Sequence, residues 1–469
     1  MVTLMKNTIT FKTTSRTILG LFIVVVIPML TCACEDLVEV PLTNSQLTAE
    51  AVFSEETTAE AALLALYADL RSSGILSDFF YEMSLYSDEL DYYGSSASSE
   101  QQFFDNSLIP THPKVKSWWD SSYSQIYQAN AILKGLETAS FETSFKNQLE
   151  GESLLVRAVI HFYLSMLYGD IPYITTTNYQ ENTSIGKTEA SVVRSKAIAD
   201  LNRAVELLPW EYRETDRTRP HKGVALALCA RIALVQQEWE LALTSSNAVL
   251  NHKEYYSWEE DLNSIFLKES ATTLWQWFPS GSNVNTTEAS ILSFETAPPP
   301  RVALTAALID SFDEKDLRLS HWIRTVTDAT DAYYHPFKYK AVGNEPEASE
   351  YSIIIRLAEL YLIRSEAQVH LGQTGSAAAD LNKVRKRAGL EDVTASTAEE
   401  LLEFIIQERR HELFTEMGHR FFDLKRTDHL NVMLSPVKSG WNATDAFLPL
   451  PENELLINPN LLPQNPGYE

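Results

Sequence analysis

The chain has 469 residues with 22% charged and 45% hydrophobic side chains, enough apolar material for a large core or several subdomains. Its 38 basic against 63 acidic residues give a net charge of −25, which argues against nucleic acid and against anionic polymers as ligands but leaves neutral sugars open. No segment beyond the first 33 residues is apolar enough to span a bilayer. Residues 1–33 read as an export signal: Lys6, Lys12 and Arg16 form a basic region with no acid, followed by the apolar run "TILGLFIVVVIPML". That run is shorter than the ~20 residues a spanning helix needs.

The signal ends at Thr31-Cys32-Ala33-Cys34. A small residue directly before a cysteine resembles the lipobox of bacterial lipoproteins, and Ala33 before Cys34 fits it better than Thr31 before Cys32. Two cysteines one residue apart make a poor disulfide clip. Cys34 is therefore the expected lipid anchor, and Cys32 leaves with the signal. Loss of the three basic residues makes the remaining chain still more acidic. Glu35 and Asp36 resemble the surface-export signals of Bacteroidetes lipoproteins. Cys229 in "ALALCARIAL" has apolar neighbours at helical spacing and reads as a core residue.

Most of the remainder reads as helix pairs, loosely at 54–71, 117–137 and 147–168. Residues 191–209 place Val193, Ala197, Ile198, Leu201, Ala204, Val205 and Leu208 on one face and stop at Pro209. Residues 223–250 read as two short helices broken near Gln236-Gln237, and 353–390 as a pair turning at Gly372 and stopping at Gly389. A last helix over 397–426 opens on a Thr397–Glu400 capping box. Small residues and paired helices resemble tetratricopeptide repeats, whose period is about 34 residues. The pairs are interrupted at 74–116, 170–190, 252–350 and 427–469 by segments too long for ordinary connections. The expected fold is mainly α: a frame of tetratricopeptide-like helix pairs carrying a long, irregular, insertion-rich layer with short strands.

Several motifs carry a chemical alternative. His411-Glu412 and His419 invite a zinc reading, but a zincin needs histidine four residues after the first, where Thr415 stands. Glu408, Arg409, Glu412, Arg420 and Asp423 read instead as an ion network holding the helix to its neighbours. Asp88, Glu89 and Asp91 in "YSDELDYYG" read as solvated acids or a helix-end cap, with too few ordered ligands for calcium. There is no phosphate-binding loop, dinucleotide fingerprint or nucleophile elbow. No cofactor and no metal is expected, and an enzyme is not.

The nine Trp, twenty Tyr and twenty Phe are the chain's main resource. A sugar ring presents C–H faces to an aromatic plane and hydroxyls to polar edges. Trp119, Tyr123, Ile126 and Tyr127 repeat at helical spacing and read as packing, as does Trp239; Trp275 and Trp277 alternate as in a strand, with at least one buried. Tyr92 and Tyr93 lie in a Gly/Ser-rich stretch, and Tyr333 and Tyr334 in "DATDAYYHPF" are alike. These four, with Trp118 at a helix start and Trp322 in "LSHWIRT", are the ligand-binding candidates.

The segments "FSEETTAEAALLALYADLR", "WWDSSYSQIYQANAIL", "RLAELYLIRSEA", "DLNKVRKRAGL", "IIQERRHELFTEMGHRFFDLKR" and "LPLPENELLINPNLLPQNPGY" occur in an order that resembles the SusD/RagB family of outer-membrane nutrient-binding lipoproteins. The resemblance divides the chain into a signal over 1–33, an N-terminal helical region over 34–250 and a C-terminal region over 251–469, all one structural unit. It implies a non-enzymatic, lipid-anchored, surface-exposed binder in the outer membrane. Such a binder captures glycans, or in some branches peptides, for a SusC-like TonB-dependent transporter partner. A lid or scaffold role without its own ligand site is a further reading, since interface surfaces are equally rich in aromatic rings.

Overall fold

The computed structural model describes residues 49–279, 286–343 and 347–469; the signal and Cys34 lie outside these described residues. The frame begins with α1 (Glu56–Ser72), which turns Ala59, Leu63, Leu66, Tyr67 and Leu70 inward at helical spacing. After it come α2 (Phe79–Tyr86), β1 (Leu90–Tyr92), α3 (Pro113–Thr138), α4 (Thr143–Tyr168) and α5 (Ala190–Leu207). Helix α4 is buried on every side from Gly151 to Tyr168, because α3 and α5 flank it and the C-terminal tail crosses it. In the tail, the Asn465 amide donates to the Tyr168 and Leu448 carbonyls at 2.8 and 2.7 Å.

Next come α6 (Lys222–Gln236) and α7 (Trp239–Leu250), separated by Gln237 at φ 59° as the sequence break predicts. The chain then leaves the frame and returns as α8 (Leu357–His370) and α9 (Thr374–Arg387), with α8 packed on α7 as though nothing intervened. Gly372 at φ 73° and Gly389 at φ 76° end these two helices as expected. The Gln373 amide reaches back to the Gln368 carbonyl at 2.7 Å and the Gly372 amide to Val369 at 3.0 Å, satisfying carbonyls the helix leaves open. Cys229 is buried in α6, and Leu362, Leu381, Val384, Leu401 and Ile405 fill a second, smaller core where α8 and α9 meet the next helix.

The excursion supplies β2 (Thr273–Trp277), β3 (Val302–Leu304), β4 (Ile323–Thr327), β5 (Ala332–Pro336) and β6 (Ser352–Arg356). They form three antiparallel two-stranded sheets: β1 with β3, β2 with β6, and β4 with β5. Both Trp275 and Trp277 are buried. Ile353–Ile355, expected to begin a helix, instead form β6: three β-branched residues pair with the tryptophan strand and are buried. No helix among the described residues is long and apolar enough to cross a membrane, and Val52–Glu469 forms one compact unit.

The helix expected over 397–426 is two helices, α10 (Ala398–Leu413) and α11 (His419–Arg426), with the Thr397–Glu400 capping box in place. Thr415, Met417 and Gly418 turn the corner with positive φ. The corner is held from the excursion: Lys338 donates to the Glu412 and Phe414 carbonyls at 2.9 and 2.8 Å, and Arg356 to the Glu412 carbonyl at 2.8 Å. Lys425 in α11 also reaches the Met166 carbonyl of α4 at 2.6 Å.

The five charged residues assigned to an ion network are buried, but they belong to separate clusters. Glu412 pairs with Arg318, Arg356 and Arg387, and Glu408 pairs with Arg318 at 2.7 Å. Arg409 pairs with Asp423, which also accepts from Arg426, both at 2.8 Å. Arg420 joins Arg410 on Asp88. Asp88 and Glu89 are therefore not solvated acids; each is at most 5% exposed. Burial raises the Glu412 carboxyl, but the cations of Arg387 and Arg356 outweigh it and hold the group well below its usual range.

Glu412→Gln removes one charge from among three buried arginines. It should cost about 3–5 kcal/mol of unfolding free energy, read by urea denaturation. Glu89 has the opposite behaviour. Burial pushes its carboxyl up to about 7, over hydrogen bonds from Ser84 Oγ at 2.7 Å and the Thr415 amide at 3.2 Å. A raised folded pKa means the group's contribution to stability is whole below about pH 4.5 and falls as pH rises toward 7. Glu89→Gln should thus gain on the parent between pH 5 and 8, by on the order of 1–3 kcal/mol, in denaturation curves taken across that range.

A candidate ligand-binding face

Asp88 and Glu89, tied to the α10–α11 corner, lead directly into β1. Its register pairs Leu90 with Leu304, Asp91 with Ala303 and Tyr92 with Val302, and the Tyr93 amide extends the ladder to the Arg301 carbonyl at 2.7 Å. Successive strand residues face opposite sides. Tyr92 turns inward, half-buried against the Phe104 ring at 6.4 Å, with its hydroxyl bonded to Ser98. Tyr93 turns outward and is 43% exposed.

Strand β5 lies beside β3, and its own register sets Tyr333 opposite Val326 and Tyr334 opposite Thr325. The alternation again splits the pair: Tyr334 packs on the main core, whereas Tyr333 stays outside it. The Tyr333 and Tyr93 rings meet edge to face, with centroids 5.7 Å apart and planes at 85°. Two of the six nominated rings, far apart in sequence, thus become one aromatic corner at the surface.

The corner has a polar rim. Asp328 turns the β4–β5 hairpin by accepting the Thr330 and Asp331 amides at 2.8 and 2.9 Å, and Asp331 and Arg301 are exposed alongside. Partial burial and then the Asp91 charge raise the Tyr93 phenol; burial and then Asp328 and Asp331 raise that of Tyr333. Both therefore stay protonated at neutral pH. Among the described residues neither phenol hydroxyl is hydrogen-bonded to a protein atom. A flat apolar corner with hydroxyl, carboxylate and guanidinium groups at its edge can hold a ring that is apolar on its faces and polar round its rim.

Trp118 and Trp322, the remaining candidates, are not part of any surface. Trp118 is 1% exposed, because the ring sits between Phe79 and Phe103 while Nε1 donates to Asp78 at 3.2 Å. Trp322 is 0% exposed; its Nε1 donates to the Leu262 carbonyl at 2.9 Å, and Lys338, Arg356 and Arg387 lie over its face. It roofs the Glu412 cluster. Tyr92 and Tyr334 serve as struts behind Tyr93 and Tyr333. Sequence reasoning missed Arg301, Asp328 and Asp331, whose proximity to the rings depends on sheet pairing between distant segments; the hairpin's Asp-Ala-Thr-Asp run was the signal available.

Neither histidine of α10–α11 heads a metal site. The ring of His411 stacks on Phe312 at 4.2 Å and bonds Ser311 and Gln407, and His419 lies 3.7 Å from Glu359. Burial, then nearby arginine charge, lowers His411 to about 2; burial likewise lowers His419 to about 4. Among the described residues no cluster of three or more His, Cys, Asp or Glu side chains is placed to hold a metal ion. A cavity of about 530 Å³ lies where α7 and α8 meet α10 and α11, with Trp239 stacked on His370 at 3.8 Å.

Two family models match the chain, "SusD family" over residues 310–468 and "Starch-binding associating with outer membrane" over 54–234. The chain belongs to the SusD/RagB family. The SusD-like protein P2 of Formosa agariphila is 26% identical, aligned over 95% of this chain and 99% of its own length. A SusD-like protein of Bacteroides ovatus is 23% identical over 74% of this chain and 72% of its own. Among solved structures, a SusD superfamily protein from Bacteroides vulgatus shares the fold at TM-score 0.79 and 22% identity, covering 89% of this chain and all (100%) of its own. A laminarin-binding SusD-like protein, 25% identical, superposes at TM-score 0.77 with coverage of 89% and 100%. In this SusD/RagB chain a mainly α frame carries an irregular layer.

Burial sorts the candidate rings by experiment as well. Trp322→Ala should lose about 3–5 kcal/mol of stability in urea titration, whereas Tyr93→Ala and Tyr333→Ala should each stay within about 1 kcal/mol of the parent.

Proposed function

We propose that this protein captures a neutral oligosaccharide at the Tyr93–Tyr333 corner. The observation that carries this reading is the ring pair itself: an exposed Tyr93 and a half-buried Tyr333 brought together by β1–β3 and β4–β5 pairing, with an Asp328–Asp331–Arg301 rim. A sugar stacks its C–H face on one ring and offers hydroxyls to the phenols and rim. The acidic surface suits an uncharged glycan over an anionic one. Support also comes from the similar structure described as laminarin-binding.

The protein acts as a binder rather than an enzyme, held at the outer-membrane surface by a lipid on Cys34 and handing its cargo to a SusC-like TonB-dependent transporter. Two modest rings give modest affinity, because binding must first offset the freedom lost on association. Tethering beside a pore supplies effective concentration in place of tight contacts.

Electrophoresis of the 35–469 form through gels cast with individual polysaccharides, laminarin among them, tests the reading. Retardation in a glycan should fall at least about tenfold in apparent affinity, roughly 1.4 kcal/mol, in Tyr93→Ala/Tyr333→Ala, and persist in Tyr92→Phe. Retardation untouched by the double substitution would remove the corner as the site. Binding that instead follows peptides and weakens steeply with salt would replace the glycan by a charged peptide.

A further inference from the structure

A second cleft lies elsewhere on the frame, sharing no lining residue with the Tyr93–Tyr333 corner. It encloses about 420 Å³ between α3, the segment 172–183 and the tail around 454–461. Its floor is a ladder of Trp119, Tyr123 and Tyr127, each four residues after the last and so rising about 6 Å per step along one helix face. Trp119 and Tyr123 have ring centroids 4.8 Å apart. Tyr123 is pinned by its hydroxyl to the Pro172 carbonyl at 2.9 Å, and Trp119 by the Tyr168 ring behind it. The last ring departs from its sequence reading as packing: Tyr127 is 48% exposed, and Tyr179 opposite it is 70% exposed.

The polar groups in this cleft are unevenly supplied. Glu454 is half-buried and has no basic residue among the described ones within ion-pair distance; burial and then the neighbouring Asp120 raise its carboxyl, against Lys116. Asp120 itself is paired with Lys116. The Asn182 amide nitrogen donates to the Thr176 carbonyl at 2.9 Å, but its Oδ1 is buried with no partner. Asn458, by contrast, is satisfied on both sides, donating to the Ile185 carbonyl and accepting from the Asn460 amide. What remains open is the Glu454 carboxylate beside flat rings.

We infer that this cleft is a second saccharide site, built for a neutral or amine-bearing sugar whose donor hydroxyls or ammonium meet Glu454 while its faces lie on Tyr127 and Tyr179. An acidic sugar would set its own carboxylate against Glu454 and Asp120. A protein segment brings donors and acceptors in equal number along its backbone, and this cleft would leave the acceptors unmatched. A polyol or amino sugar presents a donor at nearly every edge position, and its apolar faces need rings held rigid, as Trp119 and Tyr123 are. The site does not depend on the corner above and adds a contact point along a longer chain.

The test is ¹⁹F NMR of the chain labelled with 3-fluorotyrosine, with resonances assigned through Tyr127→Phe, Tyr179→Phe, Tyr93→Phe and Tyr333→Phe. Laminarihexaose, maltohexaose and a chitosan hexamer are titrated to about 10 mM, where a site of about millimolar Kd is mostly filled. Saturable shifts of the Tyr127 and Tyr179 resonances with any of the three, kept in a Tyr93→Ala/Tyr333→Ala background and lost in Glu454→Ala, establish the second site. Shifts at these two with silence at Tyr93 and Tyr333 would sink the corner and leave this cleft standing. No movement at Tyr127 and Tyr179 overturns the inference. Movement only on adding a detergent extract of outer-membrane proteins overturns it too, in favour of a protein contact.

Discussion

The structure turns on one carboxylate, Glu412, at the end of α10. Three guanidinium groups converge on it: Arg318 and Arg356 from the excursion between α7 and α8, and Arg387 from α9. Lys338, also from the excursion, caps the adjoining carbonyls and pairs with Glu416 at 2.5 Å. Frame and irregular layer are thus bolted together by buried charge at a single corner. Asp88, on Arg410 and Arg420, and Glu89, on the Thr415 amide, fasten the start of β1 to the same corner. The strands that present Tyr93 and Tyr333 are therefore both positioned by α10 and α11.

Buried ion clusters of this kind are poor sources of net stability, since desolvation consumes most of the Coulomb gain. Their effect is on geometry. A hydrophobic seam between frame and layer would tolerate sliding, whereas Glu412 satisfies its oxygens only when three cations arrive in one arrangement. Among its described residues the layer has little regular structure, namely two-stranded sheets and helices of at most six residues, and isolated strand pairs of that size are marginal in water. Packing of Trp322 under Lys338, Arg356 and Arg387 shows how the charges were desolvated: the aromatic face supplies a weak partner to the cations while keeping water out.

Such a division of labour suits a binding protein. The helices pack in sequence from α3 to α9, even across the long excursion between α7 and α8, giving a stiff support with caps at Gln237, Gly372 and Gly389. The candidate rings are then hung on strand ends and hairpins, where a single alternation decides which ring is structural and which meets solvent. Tyr92 against Tyr93, and Tyr334 against Tyr333, are the same device used twice.

Much of the frame was legible in the chain itself, because helical periodicity, αL stop residues and the Thr397–Glu400 box are local signals that act within a few residues. The buried Cys229, the tryptophan strand and the charged character of 408–423 were legible for the same reason. Family membership was likewise carried by motifs in order along the chain. What sequence could not decide was which face each aromatic turns to, and to whom each charge is paired. Trp118 and Trp322 look like loop and helix-start rings but are among the most buried side chains, and Tyr127 sits on a core-like spacing yet faces solvent. Asp88 and Glu89 read as surface acids until α10 and α11 are folded over them. The break at Thr415–Gly418 and the strand at Ile353–Ile355 arise from partners in distant segments. Local chemistry determined the elements; long-range pairing alone determined burial, and burial separates a ring that packs from a ring that meets solvent.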